Sequence, residues 1–74
     1  MKVHIGEIIK KEMERQKMSK EEFADKISTS RSNIYNIFEK PSMDTSMLRR
    51  ISVIMKMNFF DYLQDETQKQ IDKS

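Results

Sequence analysis

The side chains best suited to directional recognition are gathered in ISTSRSNIYNIFEK, residues 27–40. At about 100° per residue, Ile34, Ile37 and Phe38 share one side of a helix. Ser32 and Asn36, one turn apart, point directly away from it. Arg31 and Tyr35 flank the buried direction on one side and Asn33 on the other. Amides, hydroxyls and a guanidinium stand where the preceding helix carries Lys and Glu. Their chemistry suits base edges. Asn pairs bidentately with adenine, Arg with guanine and Ser with several bases, each good bidentate pair discriminating by about 1–3 kcal/mol. The spacing of Ser32 and Asn36 is what a helix needs if its N-terminal half is to touch successive bases in a major groove. Tyr35, at the edge of the apolar arc, is open between contact with a base or phosphate and packing on the preceding helix.

Groups suited to phosphates surround this segment. Ser19 and Ser30 mark two helix starts, where backbone amides and the positive dipole end favour anions. Lys20 follows the first start and Lys40 follows the recognition segment, placed to clamp a nucleic-acid backbone on either side. Such contacts set register and affinity and carry no sequence information. Other chemistries find little support. His4 is the only His and there is no Cys, so no metal set forms. Glu21, Glu22 and Asp25 favour a helix dipole more readily than acid–base catalysis. Gly6 is the only glycine, which excludes a phosphate-binding loop. Neither an enzyme nor a cofactor is expected.

Five short helices can position these groups. The first runs from about His4 to Lys17, with Ile5, Ile9 and Met13 inward, Ile8 beside them, and Lys10, Lys11, Glu14 and Arg15 away from that line. SKEE, residues 19–22, is a capping box that opens the second helix, whose apolar face is Phe23, Ala24 and Ile27. Ser30 caps the third, about Arg31 to Glu39, which Pro41 cannot continue. Asp44 and Thr45 are candidate caps for the fourth, with Leu48, Ile51 and Met55 inward. Phe59 to Leu63 form a last apolar turn or short helix. From Gln64 the chain has one apolar residue in eleven and reads as a polar, flexible tail. Five of the seven methionines fill the core or border turns; Met57 and the initiating Met1 fall outside those stripes.

A chain of 74 residues forms one domain, and without cysteine it depends on helix packing for stability. Residues 1–60 carry 12 Lys and Arg against 8 Asp and Glu; residues 61–74 carry 2 against 4. The body is mildly basic and the tail mildly acidic, which permits a nucleic-acid partner and falls short of demanding one. No apolar run approaches the roughly 20 residues of a membrane span, and the charged N-terminus lacks a signal-peptide core. A cytoplasmic protein is expected.

SKEEFADKISTSRSNIYNIFEK resembles the helix-turn-helix of phage-repressor and Cro-type (XRE family) proteins. The shared pattern is Phe23–Ala24, Ile27, the turn residue Ser28, the Thr29–Ser30 entry and Ile34. LRRISVIMKMNFFDYL resembles the last two helices of the same fold, so the likeness spans about residues 3–63. It implies an all-α, lambda-repressor-like bundle of about five helices over residues 1–63, with residues 64–74 as tail. Arg31, Ser32 and Asn36 would then read bases, with Asn33 and Tyr35 near the backbone or thymine methyls. Lys20 stands where the family often has Gln touching DNA. Ser28 replaces the usual turn Gly. Met13 and Phe38 occupy positions where several relatives pair an Arg with a Glu, and an apolar contact is expected instead.

The expected function is sequence-specific binding of double-stranded DNA by a transcriptional regulator of repressor type. One such domain covers a half-site of about 4–6 bp, so a homodimer on a pseudo-palindromic site is expected. By resemblance, pairing uses Phe59, Phe60, Tyr62 and Leu63. The alternative is a protein-binding adaptor or antitoxin-like module. That reading calls for large apolar anchors, and the third helix exposes mostly Ser, Asn and Arg.

Overall fold

The computed structural model describes residues 3–73, the Glu66 side chain excepted. Met1, Lys2 and Ser74, assigned above to the domain and its tail, lie outside the described residues. The chain forms an all-α bundle of five helices, α1 (Ile5–Arg15), α2 (Lys20–Lys26), α3 (Arg31–Glu39), α4 (Thr45–Met55) and α5 (Phe60–Lys73). Among the described residues, no helix is long and apolar enough to cross a membrane.

Four helices begin on side-chain caps that the sequence supplies. His4 Nδ1 accepts from the Glu7 amide at 3.1 Å, Ser19 Oγ from Glu22 at 3.0 Å, Ser30 Oγ from Asn33 at 3.2 Å and Asp44 Oδ1 from Met47 at 2.8 Å. Each satisfies one of the donors that a helix start leaves unpaired. The capping box of α2 is half formed. The Glu22 carboxylate lies 3.4 Å from Lys26 Nζ, one turn on. α1 is shorter than its apolar spacing predicts, with His4 as its cap and Gln16 and Lys17 forming the closing turn.

Three helices end in one way. Beyond α1, Met18 N donates to Met13 O and Lys17 N to Glu14 O; beyond α2, Thr29 N donates to Ala24 O and Ser28 N to Asp25 O. After α4 the same pair runs from Met57 to Ser52 and from Lys56 to Val53. These are Schellman closures, which require a left-handed residue that is usually glycine. Here the residues are Lys17, Ser28 and Lys56, with φ of 57°, 57° and 56°.

The one glycine is used where two backbones meet. Ile5 N and Gly6 N donate to Pro41 O and Lys40 O at 3.0 and 2.8 Å, so the end of α3 completes the first turn of α1. A Cβ on Gly6 would fall 2.3 Å from Phe38 O and 2.4 Å from Ile37 O. No side chain fits.

Ile5, Ile9 and Met13 of α1, Phe23 and Ala24 of α2, and Ile34, Ile37 and Phe38 of α3 meet Leu48, Ile51 and Met55 of α4 in one core. Burying each large apolar side chain contributes about 1.5–3 kcal/mol. Met13 and Phe38 are both buried in this cluster, as the apolar replacement requires. The Phe23 and Phe38 rings stack at 6.5 Å, joining α2 to α3. Met57 also packs against the core, although it lies outside the predicted stripe.

Two corrections follow from the structure. Glu12, a charged residue of α1 outside its apolar line, is buried rather than solvated. Arg15 Nε donates to Glu12 Oε1 at 2.9 Å, and Gln16 Nε2 donates to Glu12 Oε2 at 2.6 Å and to Met55 O at 2.8 Å. The carboxylate is thus tied, through Gln16, to the end of α4. Its pKa is held below the ordinary value, chiefly by the Arg15 hydrogen bond and then by Gln16, with burial opposing. The second correction concerns residues 64–73, which continue α5 as helix to Lys73. Strong helix formers and the Gln68–Asp72 hydrogen bond at 3.0 Å favour that conformation. The residues beyond Leu63 are exposed wherever described.

Candidate nucleic-acid interface

α3 is positioned from both ends. Its start follows the four-residue turn from Ile27 to Ser30, and its end is fastened to α1 through Lys40, Pro41 and Gly6. Ile34, Ile37 and Phe38 are buried, which fixes the rotation of the helix and turns Ser32 and Asn36 to solvent. Neither outward side chain makes a hydrogen bond or ion pair with another described residue. Their polar groups remain available to a ligand.

Tyr35 is 47% exposed, yet Lys20 Nζ lies 5.6 Å from its ring centroid. The ring both faces solvent and links α3 to the start of α2. A cation over an aromatic face at such an exposed place contributes about 0.5–1 kcal/mol. Lys20 and Tyr35 form one composite surface, with the ammonium above the ring.

Two predicted contacts are already engaged. Arg31 Nη1 lies 2.8 Å from Glu21 Oε1, and both side chains are largely exposed. Such a pair contributes at most about 1 kcal/mol, so a stronger partner can displace it. Asn33 is half-buried and its Nδ2 donates to Thr29 Oγ1 at 3.0 Å. Its amide braces the turn before α3. Ser19 and Ser30 are likewise occupied as caps. Lys40 stands at the opposite end of α3 from Lys20, its backbone tied to Gly6 and its side chain exposed.

The charge around α3 is balanced locally. α2 carries three carboxylates, Glu21, Glu22 and Asp25, the first of which reaches α3. Arg31 offsets the first and Lys26 the second. Glu21 and Thr29 are the contributors that spacing did not reveal. Glu21 lies ten positions before Arg31, and its pairing follows from how α2 crosses α3. Thr29 sits one helical turn before Asn33, a relation visible only once the turn is known to lead straight into α3.

Compared with known proteins, the chain matches no family model, no curated protein and no solved structure.

Proposed function

We propose that this protein binds double-stranded DNA in a sequence-specific manner, with α3 entering the major groove. The observation that carries the reading is the outward face of α3, where Ser32 and Asn36 present unengaged hydroxyl and amide groups one turn apart. Tyr35 and Arg31 extend that face, and Arg31 exchanges Glu21 for a base or phosphate on binding. Lys20 and Lys40 contact the backbone, with the first-turn amides beside Ser19 and Ser30 adding neutral donors. Asn33 holds the turn and approaches the backbone from the side.

Helix-turn-helix repressors of the Cro type, which the sequence resembles, use a face of this composition, and a regulatory role in transcription follows from that resemblance. Reading a pseudo-palindrome requires a second copy. Phe59 is fully buried in its own core, so a dimer contact in this region falls to Phe60, Tyr62 and Leu63. A protein-binding adaptor is the competing class, and α3 offers it only Tyr35 as an anchor.

Binding to mixed duplex DNA at low and moderate salt tests the reading. Contact with several phosphates makes affinity fall steeply as salt rises. No binding even at low salt would overturn the proposal. Against a selected sequence, Asn36→Ala is expected to lower specific affinity by roughly 1–3 kcal/mol while leaving non-specific binding nearly unchanged. Uniform weakening would remove Asn36 from the base-reading set.

A further inference from the structure

Beside α4 lies an open groove that the DNA reading does not use. It is lined by Lys26, Ser46, Arg49, Arg50, Val53 and Ile54, with about 450 Å³ of space. Val53, one of its lining residues, is 72% exposed, the most exposed large apolar side chain among the described residues. Arg49 and Arg50 form no ion pair with another described residue. The groove is too shallow to enclose a small molecule, as ligand pockets do. Its form suits one face of a helix.

A complementary helix is present in the same chain. Asp61, Asp65 and Asp72 lie along one line of α5, and Ile71, 60% exposed, sits about a quarter turn away. The segment from residue 64 to 73 extends roughly 15 Å beyond the last core contacts, in a molecule of 42 × 21 × 21 Å. A helical stretch this short is marginal in water without tertiary support. Val53 and Ile71 remain exposed together, so the arm does not fill the groove of its own chain.

We propose that the polar half of α5 docks into the α4 groove of a second copy, with Ile71 against Val53 and the Asp line against Arg49 and Arg50. Exchange about a two-fold axis is reciprocal: each copy gives one arm and receives one, doubling the buried surface for a single association. The cations of the body and the carboxylates of the arm then meet between chains. This inference does not depend on DNA binding.

The absence of cysteine permits a direct test. Val53→Cys chains mixed with Ile71→Cys chains under mild oxidation are expected to give a disulfide-linked heterodimer. Val53→Cys mixed with Lys11→Cys, an exposed site on α1, is the control and is expected to give little. By sedimentation, the full chain is expected to be dimeric at low salt and to dissociate as salt rises. Arg49→Glu with Arg50→Glu should weaken the dimer at least about tenfold through like-charge contacts, and adding Asp65→Lys with Asp72→Lys should restore it. These positions are exposed, so the fold tolerates the changes. A full chain that stays monomeric would overturn the proposal, as would crosslinking no greater than the control. Preferential self-crosslinking of Ile71→Cys chains would show arm-on-arm pairing and also overturn it. So would loss of duplex binding by the Arg49/Arg50 variant with its mass unchanged, which would assign the groove to nucleic acid. All self-association readouts omit DNA, so the two proposals fail separately.

Discussion

Ser28 closes α2 at φ 57°, a conformation in which its Cβ crowds the neighbouring carbonyl. Ser28→Gly is expected to stabilise the protein by about 0.5–1 kcal/mol, the relief being partly offset by a freer unfolded chain. Urea denaturation would show it as a higher midpoint at unchanged slope. Glu12 gives a second prediction at this scale. Its folded pKa is depressed, so its stabilising contribution is complete above the unfolded value of about 4.3 and is lost as pH falls through the folded pKa. Acid unfolding of Glu12→Gln is expected to have a shallower pH dependence below that value than the parent; equal slopes would rule the contribution out. The two residues differ in legibility. The turn position of Ser28 was visible because the closure is local. Glu12 was not, because the bond through Gln16 reaches a carbonyl thirty-nine positions further on.

At the scale of elements, α3 was the most legible, since its cap, apolar face and stopping proline lie within a dozen residues. The same spacing rules failed for α5. Low apolar content marks a segment that cannot form a core of its own, and that criterion does not separate an irregular tail from a helix standing in solvent. Gly6 belongs to this scale because its constraint is the seating of α1 on α3. Gly6→Ala forces two backbones apart and is expected to cost about 3 kcal/mol. A thermal melt would detect it. A change within about 0.5 kcal/mol would mean that α1 shifts freely, contradicting the tight backbone hydrogen bonds to Lys40 and Pro41.

For the whole molecule, the outward face of α3 was read correctly as exposed, while the engagement of Arg31 and Asn33 was hidden until α2 and the turn were in place. The division into a basic body and an acidic end was also legible, from charge alone, though not that the acidic end is a helix. Hydrogen exchange tests how these parts share stability. Amides of α1 and α4 that face the core should exchange only through global unfolding, and those of residues 64–73 rapidly in dilute solution. Raising protein concentration should slow exchange in 64–73 selectively if a second copy covers them. The placement of the one glycine has a last consequence, in the currency of substitution tolerance. A saturation scan scored for stability should rank every substitute at position 6 below the parent residue. At positions 17, 28 and 56, where glycine would relieve the backbone, the same scan should rank it above the residues now there. The chain thus holds its glycine at the site where replacement costs most and forgoes it at three that would benefit, so its present stability lies below what this backbone can reach.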